Sequence, residues 1–194
     1  KEAVLEIAKK CEIDGILTFT DSGVVTAGYV ADQLGLPMPG PYESIQILQN
    51  KGLFRKFLAE HGFNVPKAKS YFSVEQAWGE RDEWQYPVIV KPVDSAGSKG
   101  VTKVDSEDQL LNAIHFALEF SISGEFIIEA WIEKDGCSSD SDCFSLNGEF
   151  QILTYSSQRF DSAAPNPYAP AAFSWPSTMG EKVENELSFE LQRL

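Results

Sequence analysis

Apolar residues recur in two periods along the chain, and these periods predict where helices and strands form. Helical spacing, with apolar residues three and four positions apart, is clearest over Leu53–Leu58 and over Leu110–Leu118. The same spacing predicts further helices near residues 1–10 and between the Asp21-Ser-Gly turn and Leu34. It also predicts two consecutive helices over 42–61, one helix after Ser73 and one after Thr178. The chain therefore contains several amphipathic helices.

Short apolar or alternating runs predict strands between these helices. They are Asp14–Thr20, Ala68–Phe72, Val88–Val90 and Glu125–Glu129. Alternation on either side of Asn147-Gly148 predicts a tight antiparallel hairpin over Phe144–Ile152. Residues 156–177 carry four of the ten prolines and little periodicity, which predicts a long loop. Helices and strands in this order indicate an α/β (α+β) fold.

Capping residues and prolines mark the ends of these elements. The segments Ser73–Gln76, Ser106–Gln109 and Thr178–Glu181 each match the capping box, in which a Ser or Thr precedes Glu or Gln by three positions. The proline-rich segment Leu36–Pro41 predicts a linker, because no regular element crosses it intact. A domain boundary is expected there.

The segment from Tyr86 to Val104 carries the most informative chemistry. An apolar strand ends on Lys91, Pro92 closes that strand, and the loop up to Gly100 consists almost wholly of small residues. Backbone N–H groups of such a loop approach a ligand closely, and Lys91 and Lys99 add positive charge. The pattern favours a polyphosphate site, although an ordinary hairpin with a flexible tip fits the loop alone equally well.

Charge and cysteine content limit the class of partner. The 29 acidic and 16 basic residues give a formal charge of -13, which disfavours nucleic acid and anionic membranes as partners. No apolar run reaches the roughly 18 residues of a membrane span. The three cysteines form no Cys-x-x-Cys pair, so we expect a reducing, cytoplasmic environment and structural roles for the cysteines.

Four short motifs follow one another along the chain: Asn50-Lys51 with Arg55, then Pro87–Pro92, the loop Ser95–Gly100 and the segment Glu125–Glu133. This series resembles the ATP-grasp superfamily, particularly its carbamoyl-phosphate-synthase-like and D-alanine-D-alanine-ligase-like carboxylate ligases. This resemblance implies an ATP-grasp fold preceded by the end of a Rossmann-like pre-ATP-grasp domain. It divides the chain into the end of that domain with its linker (1–41), a helical linker with the first subdomain (42–129) and the start of the second (130–194).

The resemblance also implies a set of ATP contacts. Lys51 and Lys91 match the two nucleotide lysines of the family, and Arg55 either assists them or lies on a solvated helix face. The matching phosphate loop contains Ser95, Ala96, Gly97, Ser98 and Gly100. The matching adenine contacts are Glu129, Ala130, Trp131 and Ile132. The counterpart of the ribose contact stays unassigned, because several acids follow Glu133.

The activity that the resemblance implies is ATP-dependent ligation. ATP would activate a small-molecule carboxylate as an acyl phosphate for attack by an amine. The alternatives are carboxyphosphate chemistry of the carbamoyl-phosphate-synthase type and a regulatory nucleotide-binding module without turnover. The family's Mg²⁺ ligands are expected downstream of Leu194, so we expect no metal ligand within this chain and no activity from it alone. The family also allows a homodimer.

Overall fold

The computed structural model describes residues 1–194, which form two compact units, Lys1–Trp131 and Ile132–Leu194. The helices are α1 (Glu2–Lys10), α2 (Asp21–Leu34), α3 (Tyr42–Gln49), α4 (Lys51–Glu60), α5 (Val74–Gly79), α6 (Leu110–Phe120) and α7 (Glu181–Arg193). The strands are β1 (Ala68–Tyr71), β2 (Val88–Pro92), β3 (Thr102–Val104), β4 (Phe126–Ala130), β5 (Ser139–Leu146), β6 (Glu149–Phe160) and β7 (Pro170–Ser174). The predicted mixture of helices and strands is confirmed.

A four-stranded antiparallel sheet of order β1-β4-β2-β3 forms the centre of the first unit. Successive side chains of a strand point to opposite faces of the sheet. One face of this sheet packs against α5 and α6. Its core consists of Tyr71, Ala77, Trp84, Val88, Val90, Val104, Leu110, Ala113, Ile114, Ala117, Phe126 and Ile128. The alternate residues, which include Lys91 and Glu129, therefore lie on the other face, where α4 contacts β1.

The predicted strand Asp14–Thr20 is wrong, because these residues form irregular chain between α1 and α2. A strand needs a neighbour to satisfy its backbone N–H and C=O groups, and the first paired strand begins at Ala68. The apolar pattern is used differently: Ile16 packs with Leu5 and Val30 in a small core between the two helices.

The second unit contains a three-stranded antiparallel sheet of order β5-β6-β7 and the helix α7. The predicted hairpin at Asn147-Gly148 is confirmed, and both residues have positive φ (54° and 81°), as a tight turn between twisted strands requires. The predicted loop over 156–177 is wrong in part, since β6 continues to Phe160 and pairs with β7. Pairing of the backbone forms these strands without the regular apolar alternation that marks a half-buried strand.

Of the three capping predictions, only the cap by Ser73 is confirmed: its hydroxyl accepts a hydrogen bond from the Gln76 N–H at 3.1 Å, while the Gln76 side chain donates to Glu80. Ser106 instead donates to Asp108, and a short 3-10 turn precedes α6. Thr178 shares a hydrogen bond with the Ser157 hydroxyl, and α7 begins after Gly180 without a side-chain cap. A hydroxyl group that forms a hydrogen bond with another group of the fold does not cap the helix.

None of the helices combines the length and the apolar composition that a membrane crossing requires. The predicted domain limits at residues 41 and 129 stay predictions.

Candidate functional site

The junction of α3 and α4 fixes the first lysine of the predicted site. Asn50 has extended backbone angles (φ −101°, ψ 112°), which end α3, and its side chain caps α4 by accepting from the Leu53 N–H. The Asn50 amide also donates to Glu125 at 3.2 Å, next to β4. The N–H of Lys51 donates to the Val93 carbonyl, just after β2, at 2.9 Å. The start of α4 is thereby tied to the sheet.

The side chain of Lys51 is bound to the small-residue loop. Its Nζ atom donates to the Ser95 carbonyl over 2.6 Å. Burial, followed by repulsion from the Lys91 ammonium, lowers the pKa of Lys51 below its ordinary value. The Lys51 ammonium therefore lies against the loop, and the charge of Lys91 acts on it there.

Lys91 is held by a buried carboxylate. Its Nζ atom lies 2.6 Å from Oε2 of Glu129, while Nε of Arg55 lies 2.8 Å from Oε1 of the same side chain. The exposed fractions of the three side chains are 15% for Lys91, 28% for Arg55 and 4% for Glu129. Two cations from two elements, α4 and β2, therefore share one anion on β4.

The loop Ser95–Gly100 has a backbone shape that depends on small residues. Gly97, Ser98 and Gly100 have positive φ values of 66°, 55° and 71°. Gly100 is also buried, and a Cβ atom there would lie 3.1 Å from Pro92 and from Phe120. Ala96 and Gly97 are exposed at the tip. The loop thus has a fixed base and an accessible tip of minimal bulk.

Asp94 anchors the base of this loop. Its carboxylate accepts hydrogen bonds from the N–H groups of Ile122 (3.1 Å) and Ser123 (2.7 Å) and from the Ser121 hydroxyl (3.1 Å). Burial alone would raise the pKa of Asp94, but these hydrogen bonds together outweigh it and lower the pKa. The carboxylate is therefore held in its charged form by donors from the segment that follows α6, and its charge also acts on Lys51.

Two backbone N–H groups of the predicted adenine segment already form hydrogen bonds within the first unit. The Ala130 N–H donates to the Lys67 carbonyl at 2.8 Å, and the Trp131 N–H donates to the Pro87 carbonyl at 3.2 Å. The Trp131 ring lies beneath the ammonium of Lys103, 5.1 Å from the ring centre. The Glu129 carboxylate faces Lys91 and Arg55, so its side chain serves the cation cluster.

The structure therefore brings Lys51, Lys91, Glu129 and the loop together on one side of the first unit's sheet. It also adds Arg55 to the cluster, which the sequence left open between assistance and a solvated face. The anchoring role of Asp94 was missed, since its hydrogen-bond donors lie 27 to 29 positions away. Among residues 1–194, no three His, Cys, Asp or Glu side chains are grouped as a metal site requires.

The model of the ATP-grasp domain matches residues 48–191. The chain belongs to the ATP-grasp family, and the predicted fold is confirmed; a Rossmann-like domain before it is not directly shown. The chain is 30% identical over 138 residues to the ATP-grasp enzyme fsqD of Aspergillus fumigatus, covering 71% of this chain and 23% of that protein. It is also 30% identical over 188 residues to the carbamoyl phosphate synthase large chain of Paenarthrobacter aurescens, covering 94% of this chain and 17% of that protein.

Solved structures show the same fold at lower identity. The L-amino acid ligase of Bacillus licheniformis has a TM-score of 0.77 at 20% identity, with 98% of this chain and 43% of that chain covered. The biotin carboxylase domain dimer of the Hydrogenobacter thermophilus 2-oxoglutarate carboxylase, solved with MgADP and bicarbonate, has a TM-score of 0.74 at 16% identity, with 99% and 44% covered. The chain spans less than a quarter of the length of the curated relatives described above.

Proposed function

We propose that this chain is the ATP-binding part of a ligase that activates a carboxylate as an acyl phosphate for attack by an amine. The observation that supports this most strongly is that Lys51, at the start of α4, donates to the loop of small residues, while Lys91, on β2, lies four positions before that loop. Membership of the ATP-grasp family supports the same conclusion. The carboxylate and the amine are small molecules in this proposal.

The two lysines supply the charge that a triphosphate requires. A chain with a formal charge of -13 repels polyanions over most of its surface, so local cations must compensate the phosphates. Lys51 and Lys91 are partly buried, which strengthens their attraction for an anion relative to exposed lysines. Backbone N–H groups of Ser95–Gly100 complete the proposed phosphate site.

The proposed adenine contacts are backbone groups of the segment that follows Glu129. Because the N–H groups of Ala130 and Trp131 donate to neighbouring carbonyl groups, we assign the N–H that meets a ring nitrogen to Ile132. The Ala130 carbonyl is assigned to the adenine amino group, and Trp131 to the wall of the pocket. Glu129 then acts on the phosphate side of the site, through Lys91, instead of contacting adenine with its carboxylate.

A second candidate reaction is carboxyphosphate formation from bicarbonate. It is favoured by the relative from Paenarthrobacter aurescens, which matches 94% of this chain and is named a carbamoyl phosphate synthase large chain. Both reactions use ATP, and both use Mg²⁺ in the proposal because the ion neutralises the phosphates. No residue of this chain is assigned as a metal ligand. Cytoplasmic location and assembly into a homodimer are likewise part of the proposal.

The test is the affinity for ATP of the Lys91→Ala variant, measured by calorimetric titration. Losing a charge-assisted contact with phosphate is expected to weaken binding by about 2 kcal/mol, or roughly 30-fold. Lys69→Ala is the matched control, because Lys69 also forms an ion pair at 2.6 Å, with Glu80, in the same unit. Unchanged affinity in Lys91→Ala would refute the proposed site.

A further inference from the structure

Glu129 presents an electrostatic problem for the proposed site. Its carboxylate is nearly inaccessible to water, with 4% of the side chain exposed. A buried carboxylate needs a cation close to it, because leaving such a charge uncompensated is strongly destabilising. If Lys91 were the sole partner of Glu129, moving Lys91 towards a phosphate would leave the buried carboxylate without a cation and would destabilise the protein.

The structure gives Glu129 a second cation on its other oxygen. Arg55 contacts Oε1 at 2.8 Å, whereas Lys91 contacts Oε2 at 2.6 Å. Since the two cations use different oxygens, the contact of Arg55 does not depend on that of Lys91. Lys51 does not contact Glu129 in the same way, as its ammonium donates to the Ser95 carbonyl.

The contact between Arg55 and Glu129 links α4 to β4, because Arg55 is a residue of α4. Arg55 lies one helical turn after Lys51, and Glu129 lies in β4 beside β2, which carries Lys91. The Arg55–Glu129 pair therefore joins the helix of one lysine to the sheet of the other.

We propose that Arg55 is a positioning residue that compensates the Glu129 charge and thereby leaves Lys91 available to a nucleotide phosphate. This inference rests on the proposed function. Arg55 itself contacts protein and acts through Glu129. Without Arg55, the buried carboxylate holds Lys91 as its remaining close cation, and phosphate must compete with Glu129 for it.

The test is a double-mutant cycle on ATP affinity with Arg55→Met and Glu129→Gln, measured by calorimetry. Arg55→Met is expected to weaken ATP binding by about tenfold or more, because Lys91 becomes bound to an uncompensated buried charge. In the Glu129→Gln background the carboxylate charge is gone, so adding Arg55→Met is expected to change affinity by less than about twofold. The same loss in both backgrounds would show that Arg55 does not act through the Glu129 charge.

Two further variants keep the test decisive. Arg55→Lys retains the charge and is expected to stay within about threefold of the wild-type affinity, whereas Arg55→Gln retains a hydrogen-bond donor without charge and is expected to behave as Arg55→Met. If Arg55→Met does not fold, the comparison of Lys and Gln at this position decides. Equal affinities of those two variants would overturn the inference.

Arg81→Met is the matched control. Arg81 contacts Glu107 at 2.6 Å, and its side chain is 29% exposed, close to the 28% of Arg55. Its partner is 45% exposed and contacts no lysine of the site, so ATP affinity should not change.

Lys91→Ala in the same assay separates this inference from the proposed function. If Lys91→Ala leaves ATP affinity unchanged, the proposed phosphate site fails. If Lys91→Ala weakens binding while Arg55→Met has no effect, or has the same effect with Gln at position 129, only the positioning role fails.

Discussion

The sheets of the two units are stabilised in different ways. In the first unit, Val88, Val90, Phe126 and Ile128 are fully buried under α5 and α6. In the second unit, the buried residues of the sheet are Tyr155, Ser156 and Ser157, while apolar side chains such as Phe144 remain more than half exposed. Side-chain hydrogen bonds contribute instead, for example between Tyr155 and Ser188 at 2.7 Å.

This difference explains why the cation cluster is found in the first unit. Holding Lys91 at 2.6 Å and Arg55 at 2.8 Å from the two Glu129 carboxylate oxygens requires strands and a helix that move little. A close-packed core on the opposite face of the same sheet provides that rigidity. No comparable apolar core is found among residues 132–194, where Tyr155 and Ser157 of the sheet instead share hydrogen bonds with Ser188 and Thr178.

The largest expected effect comes from removing a core ring in the first unit. Phe126→Ala leaves a cavity beside Tyr71, whose ring centre lies 5.7 Å away, and should destabilise the first unit by about 3–5 kcal/mol. The counterpart is Phe144→Ala in the second sheet, where the ring is 59% exposed and the expected cost is below about 1 kcal/mol.

Urea unfolding followed by amide hydrogen exchange measures both effects, because the exchange of each sheet's amides is resolved separately. Similar losses for Phe126→Ala and Phe144→Ala would mean that the two sheets do not differ in packing as described.

The same difference decides how much of the fold was predictable from the sequence. Strands whose side chains enter the core, such as Val88–Val90 and Phe126–Glu129, carry an apolar signal and were predicted. The second half of β6 and all of β7 carry no such signal, because backbone pairing forms them with mostly exposed or polar side chains. The segment Asp14–Thr20 has the apolar pattern of a strand but pairs with no neighbouring strand, and so was predicted wrongly.

The candidate site was predictable where chemistry is local. Lys91 at a strand end and the small residues after it form one continuous motif, and Lys51 follows a capping asparagine. Contacts between distant positions left no such signal. Arg55 reaches Glu129 across 74 positions, and the Asp94 carboxylate finds its donors after α6. Only folding the chain reveals that these charges are paired.

A smaller effect is expected at Asp94, which links the loop to the rigid sheet. Asp94→Asn should destabilise the first unit by about 1–2 kcal/mol at neutral pH, since an amide cannot replace the carboxylate as acceptor for all three donors. Because folding lowers the pKa of Asp94, its stabilisation is complete above the ordinary carboxyl pKa of 3.8. It is lost as the pH falls through the lowered value.

Urea titrations at neutral pH and at acidic pH measure this difference. The gap in the free energy of unfolding between wild type and Asp94→Asn should begin to narrow near pH 4 and close only below the lowered pKa of Asp94. A gap of the same size at both ends of the range would mean that the charge of Asp94 plays no part, and that the loop is held by packing around Gly100.

The smallest effect is spectroscopic, and it compares the end of the first unit's sheet with its core. Trp131 follows β4 directly and is proposed to line the adenine pocket, whereas Trp84 is 6% exposed within the core. In variants that retain only Trp131 or only Trp84, the other three tryptophans being replaced by Phe, adenine nucleotides should change the fluorescence of Trp131 alone. Titration with ADP tests this without requiring turnover. A response at Trp84 together with silence at Trp131 would place the nucleotide against the helical face of the sheet, and would contradict the adenine assignment to Ala130–Ile132.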